Sequence, residues 1–140
     1  MKHLSYILIS ALMLLSACTE SVDNAARQDQ LPKIFPDYIG VTIPVNIAPM
    51  NFCVDDNIEK IDVTVRGSNG GEMHVQDDYA DFDIDEWHSI VSQNKGGKLT
   101  FSVCVKKGGQ WLRYNDFTMT VSQYDMPDYA LTYRRITPGY

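Results

Sequence analysis

The chain has 140 residues and a mass of 15.9 kDa, and 44% of its residues are hydrophobic. This length suits one domain of ordinary size and excludes a multidomain enzyme within these residues. Eighteen acidic against twelve basic residues give a net charge of −6. That balance disfavours nucleic acid as a partner, and also docking on anionic lipid through a basic surface, because both need clustered lysine and arginine.

The first residues have the features of a bacterial lipoprotein signal peptide. Lys2 precedes an apolar run over 4–15, which is too short to span a bilayer because a spanning helix needs roughly 20 residues. The run ends in Leu15-Ser16-Ala17-Cys18, which resembles the lipobox whose cysteine receives a diacylglycerol and becomes the mature N-terminus. The sequence predicts a signal peptide over 1–17 and lipidation at Cys18. The alternative is an ordinary secretory signal with an incidental cysteine.

Lipidation would determine where the protein acts. Acyl chains would hold it on a membrane, because each buried methylene contributes about 0.8 kcal/mol. We therefore expect a lipid-anchored protein of a Gram-negative cell envelope, at the outer membrane. The sequence does not distinguish the periplasmic face of that membrane from the cell surface. Residues 18–36 are polar and then flanked by prolines, without a period of 2 or 3.6, which predicts a flexible lipidated tether.

From residue 37 apolar and polar positions alternate, which is typical of half-buried strands. Pro44 interrupts the pattern at 41–47 and favours an edge strand or extended segment there. Further strands are expected at residues 50–54, 60–66, 73–75, 82–84, 99–105, 111–114 and 117–121. A change of parity near Asn115 predicts a bulge between the last two.

One helix is predicted around Trp87, Ile90 and Val91, whose spacing places them on one face. Asp83 or Asp85 is the expected N-cap, and the glycines after Lys95 the expected end. The sequence therefore predicts a mostly β domain over 37–123, a small antiparallel Ig-like β-sandwich with one short helix.

The acidic run at 77–86 contains the candidate metal ligands Asp81, Asp83 and Asp85. Carboxylate oxygens at alternate positions can collect Ca²⁺, but an EF-type loop needs a glycine at its sixth position. Phe82 and Ile84 alternate with the three aspartates, which favours a solvated acidic edge. We therefore predict no metal site and keep a calcium-stabilised binding module as an alternative.

Cys53 and Cys104 are the cysteines that remain if Cys18 is lipidated. An exported pair can form a disulfide. Each lies between apolar neighbours, so both thiols are expected to point away from the core. They could bond only if their strands are neighbours on that face.

Aromatic residues offer the other candidate site. Trp111 and Tyr114 could bind a glycan, and core packing is the alternative for both. His74 and His88 lack the further ligands that a zinc site needs, and no serine–histidine–acid order stands out. We therefore predict no enzyme and no cofactor.

Four stretches carry a resemblance to a known family: residues 37–52, which begin Asp37-Tyr38-Ile39-Gly40, and residues 87–96, 111–117 and 131–140. The opening and the closing Arg134-Arg135-Ile136-Thr137-Pro138-Gly139-Tyr140 are the more specific pieces. They are similar to the N-terminal region of TolB-like, WD-like β-propeller lipoproteins, some loosely labelled cytochrome c biosynthesis proteins. The resemblance implies that a propeller follows and binds the partners, and these residues contain none. The tyrosine-rich tail at 124–140 would be its start, and the chain a truncated member, a fragment or a stand-alone module.

These patterns predict a non-enzymatic, membrane-anchored β-sandwich that serves interaction or spacing in the envelope. Its expected partners are the membrane, through acyl chains, and an envelope protein. The two alternatives are a surface glycan-binding lipoprotein and a calcium-stabilised binding module.

Overall fold

The computed structural model describes residues 21–54 and 57–124, and the predicted signal peptide, Cys18 and the tail beyond Tyr124 lie outside them. The described chain is mostly β, with one helix, α1, at Ile84–Gln93. Its strands are β1 (Ala26–Arg27), β2 (Ile34–Phe35), β3 (Thr42–Ile43), β4 (Cys53–Val54), β5 (Lys60–Gly67), β6 (Glu72–Asp77), β7 (Lys98–Lys107), β8 (Gln110–Arg113) and β9 (Phe117–Val121).

The ten-residue strand β7 is the centre of a seven-stranded sheet. It pairs antiparallel with β5 on one side, and β6 continues the sheet beyond β5. On its other side lie β8 and β9, end to end. Cys104 faces Arg113 whereas Phe101 faces Phe117, so the second side has one extra residue. The bulge predicted near Asn115 is therefore confirmed.

The core lies on one face of this sheet, called the inner face. Odd-numbered residues of β5 and β7, such as Val63 and Val103, are fully buried there. The helix covers this face with Trp87, Ile90 and Val91, and a two-stranded sheet of β2 and β4 adds buried Ile34 and Val54. The prediction of a mostly β sandwich with one short helix is confirmed.

The described part of the predicted tether is not a free linker. Ala26 and Arg27 pair in parallel with Leu112 and Arg113 at the edge of the large sheet. Ile34 pairs with Val54 and is buried. Paired strands therefore precede the boundary predicted at residue 37, and their two-residue length leaves no periodic signal in the sequence.

Two predicted strands also differ from the structure. The segment predicted at 41–47 pairs only at Thr42–Ile43, in parallel with β9, before Pro44. The strand predicted at 82–84 is absent: an isolated bridge joins Phe52 to Ala80, and the helix begins at Ile84. Asp83 ends the extended segment, because its carboxylate accepts hydrogen bonds from the amides of Asp85 and Glu86. The predicted N-cap is thereby confirmed.

The C-terminal end of the helix depends on Asn94, which has no accessible surface. Its Nδ2 atom donates to the carbonyls of Ile90, at 2.8 Å, and Gly70, at 2.9 Å. Its Oδ1 atom accepts from the amide of Asn69 at 2.7 Å. One side chain therefore joins the helix to the β5–β6 turn, where a Cβ at Gly67 would collide with it.

We expect Asn94→Ala to lower the free energy of unfolding by about 2–3 kcal/mol, because it removes the three hydrogen bonds of a fully buried side chain. The exposed neighbour Ser92 provides the control, and Ser92→Ala should stay within about 0.5 kcal/mol of the parent. Denaturant unfolding of both variants measures the difference. Equal stabilities would show that Asn94 does not hold the turn.

Candidate functional site

The sheet face that points away from the helix, called the outer face, carries the main polar cluster. Successive residues of a strand alternate between faces, so the register determines which outer side chains are neighbours. Asp62 on β5 lies between Gln76 on β6 and Cys104 on β7, and Cys104 lies beside Arg113 on β8. Four chemically different side chains therefore form one row across four strands.

Asp62 is the buried acid of this row, with 3% of its surface exposed. Its Oδ2 atom lies 2.8 Å from Nε2 of His74 and accepts a hydrogen bond from Nε2 of Gln76 at 2.8 Å. A buried carboxylate needs such partners, because desolvation disfavours its charged form. His74 and Gln76 both lie on β6, so their contacts with Asp62 join β6 to β5 and indicate a structural role for this carboxylate.

Cys104 is the thiol of the row and is 5% exposed. Burial, reinforced by the Asp62 carboxylate, raises the pKa of Cys104 to about 11 although Arg113 opposes the shift. The thiolate is the nucleophilic form of cysteine, so this thiol is a poor nucleophile at neutral pH. A cysteine–histidine catalytic pair would need the opposite electrostatic arrangement.

Cys53 and Cys104, considered as a disulfide pair, are both free thiols in the structure. Cys53 is exposed on β4 in the two-stranded sheet, and its Sγ donates to the carbonyl of Phe35 at 3.4 Å. Cys104 lies on β7 in the other sheet. Both thiols point away from the hydrophobic core as expected, but polar neighbours bury Cys104 on the outer face.

The candidate metal ligands Asp81, Asp83 and Asp85 have separate environments and do not converge on one point. Asp81 accepts hydrogen bonds from Asn51 Nδ2, at 2.6 Å, and Tyr79 Oη, at 3.2 Å. It raises the pKa of Tyr79 through its charge and this hydrogen bond. Asp83 caps the helix, and Asp85 is exposed in its first turn. Within residues 21–54 and 57–124, no group of three or more acids, histidines or cysteines could hold a metal ion.

Trp111 and Tyr114 do not form one aromatic platform. Trp111 pairs with Lys106 and points to the outer face, where it is half-buried. Tyr114 lies on the inner side, is 8% exposed and belongs to the core. Trp111, without Tyr114, lines an open cavity of about 380 Å³. The other residues that line this cavity are Ser21, Asn24, Ala25, Ala26 and Gln110.

A second cavity, of about 290 Å³, adjoins the same sheet edge and contains two arginines. Arg27 on β1 and Arg113 on β8 are neighbours in parallel register. The Arg113 guanidinium also donates to Asp116 at 3.4 Å. The lining residues are Arg27, Gln28, Arg113, Tyr114, Asn115 and Asp116.

Sequence reasoning did not identify Asp62, Arg27 or Arg113 as site residues. The alternation at 60–66 correctly places Asp62 opposite the core, and nothing in that pattern distinguishes it from an exposed acid. Its burial depends on the register with β6 and β7, which a single sequence does not reveal. Arg27 lies in the segment predicted as a tether, so its pairing with Arg113 also had no signal.

Comparisons with protein families, curated proteins and solved structures found no match to this chain. The helix α1 of the described residues is not long and apolar enough to cross a membrane.

We expect Asp83→Ala to lower the free energy of unfolding by about 1 kcal/mol, because the first-turn amides lose their acceptor. The loss should be the same in Ca²⁺ and in chelator, measured by thermal unfolding. Asp85→Ala is the matched control and should change stability by less than about 0.5 kcal/mol. A melting temperature that rises with Ca²⁺ by mass action would instead support the calcium-stabilised alternative.

The two thiols should differ in reactivity in a Cys18→Ser protein. At pH 8 Cys53 should react with a thiol reagent in the folded state, while Cys104 reacts only after denaturation. The folded pKa of Cys104 is raised above its ordinary 9.0, so the unfolded chain loses this proton first as pH rises. Stability should therefore be fully present below about pH 9 and fall toward pH 11.

Cys53→Ser isolates the second thiol for this measurement. The folded variant should resist the reagent at pH 8 and show the alkaline loss of stability, whereas Cys104→Ala should flatten that loss. Rapid modification of the folded Cys53→Ser protein would contradict the burial of Cys104.

Proposed function

We propose that the protein is a non-enzymatic lipoprotein of the cell envelope, anchored through Cys18 at the outer membrane, whose β-sandwich serves protein interaction or spacing. The observation that carries the proposal is the motif Leu15-Ser16-Ala17-Cys18 after a short apolar run. This order of a basic start, an apolar centre and a lipobox-like motif is the order expected of an exported lipoprotein.

The start of the folded body supports a close anchor. The amide of Ala25 donates to the carbonyl of Val22 at 3.0 Å, and β1 follows at Ala26. Ordered backbone is therefore present within a few residues of Cys18. A body attached in this way would lie beside the membrane, which suits a spacer or a docking module better than a mobile arm.

The chemistry of the outer face supports a role without catalysis. The buried carboxylate of Asp62 is engaged by His74 and Gln76, and the thiol of Cys104 has a pKa of about 11. A cysteine nucleophile needs a lowered pKa, and the raised pKa of Cys104 is the opposite arrangement. An envelope protein is the second partner that we propose, beside the membrane.

The intact mass of the protein extracted from its own membrane fraction tests the anchor. We expect the mass of residues 18–140 plus acyl chains, and we expect Cys18→Ser to remove the acyl mass and move the protein to the soluble fraction. Cys53→Ser is the matched control and should stay acylated and membrane-bound.

Two outcomes would change the proposal. A mass without acyl chains would refute the lipid anchor. A mass larger by tens of kilodaltons would show that these residues are the leading module of a longer protein, and the interaction function would then be sought beyond Tyr140.

A further inference from the structure

The lipid anchor of the proposed function places one edge of the sandwich next to the membrane. Ser21 lines the cavity of Trp111 and follows shortly after Cys18 in the chain. The Cα atoms of Cys18 and Ser21 are three residue steps apart, so the distance between them is at most about 11 Å. If Cys18 carries acyl chains, Trp111 is therefore held close to the lipid headgroups.

The parallel strand β1 determines which edge this is. Ala26 pairs with Leu112 and Arg27 with Arg113, so the residues just before β1 lie beside the start of β8. The chain thus approaches β8 from the end that carries Gln110 and Trp111. The opposite end of β7, at Lys98, lies about 30 Å from Lys107 at the strand rise per residue.

The side chains at this edge have the chemistry of a membrane interface. Trp111 and Arg113 point to the outer face from the same strand, and Arg27 lies beside Arg113 in register. Tryptophan concentrates at the headgroup level, and arginine forms paired hydrogen bonds with phosphate. The Asp116 carboxylate accepts a hydrogen bond from Arg113, whereas Arg27 is an exposed strand residue.

We propose that Trp111, Arg113 and Arg27 form a membrane-facing edge that binds the phosphate headgroups of the lipids around the anchor. This inference rests on the proposed lipidation of Cys18. A single lipid attachment leaves a body free to rotate, and a second contact of this kind would fix its orientation. The outer-face edge would then lie on the membrane, and the helix and the β5–β6 turn would face away from it.

Tryptophan fluorescence in vesicles tests the orientation. The acylated protein is reconstituted in vesicles of phosphatidylethanolamine and phosphatidylglycerol in which part of the acyl chains carry bromine. Trp87 is fully buried and supplies the unquenched background. We expect the brominated lipid to quench Trp111, and Trp111→Phe to abolish the quenching.

A tryptophan introduced at the opposite end is the matched control. Tyr124 is exposed and follows β9, whose Thr120 pairs with Lys98 at the far end of β7. In the Trp111→Phe background, Tyr124→Trp should supply a second fluorophore at the far end without restoring quenching. Arg27→Gln should weaken the quenching of Trp111 in phosphatidylglycerol vesicles, and high salt should do the same.

The outcomes separate this inference from the proposed function. Acylated protein in which Trp111 is not quenched would overturn the orientation and leave the anchor standing. Equal quenching of the fluorophore introduced by Tyr124→Trp would do the same, because both ends of the sheet would then reach the lipid.

A protein without acyl mass would overturn both the anchor and the orientation. Stabilisation of the soluble Cys18→Ser protein by inorganic phosphate or by a soluble polysaccharide, without quenching in vesicles, would identify a free anion or a glycan as the occupant. That result would overturn the membrane contact.

Discussion

The antiparallel register between β5 and β7 is the constraint on which the other features of the molecule depend. It places Val63 opposite Val103 on the inner face and, in the same ladder, Asp62 opposite Cys104 on the outer face. A slip of one residue would exchange the two faces, exposing the core and burying charge. The hydrophobic core and the polar row therefore share one origin. A change that weakens the register would disturb both.

The short parallel strands β1 and β3 connect the N-terminal part of the chain to this sheet. They cover the edges of β8 and β9, which would otherwise present unpaired backbone groups. The same pairing brings the residues after Cys18 to the start of β8. Protection of the sheet edge and placement of the proposed anchor are thus achieved by one segment. A deletion within this segment would combine an exposed edge with a displaced anchor.

Net charge conceals how the ionic groups are distributed. The overall balance of −6 disfavours contact with anionic lipid, yet β1 and β8 place Arg27 beside Arg113 at one edge. Local potential at short range depends on such neighbours more than on the total, because salt screens distant charges. Asp116 pairs with Arg113 at this edge, and Asp85 and Glu86 lie in the first turn of the helix, where the helix dipole favours them.

By itself, the sequence determined the elements whose pattern is periodic. Alternation identified β5, β7 and β9, the spacing of Trp87, Ile90 and Val91 identified the helix, and the change of parity near Asn115 identified the bulge. The tertiary structure alone decided the register, the two-residue strands and the burial of Asp62, Asn94 and Cys104. The physical reason is that periodicity records which face a residue occupies, whereas neighbours across strands depend on contacts between distant segments. For the same reason, Trp111 and Tyr114 could be proposed together from the sequence and yet lie on opposite faces of the sheet.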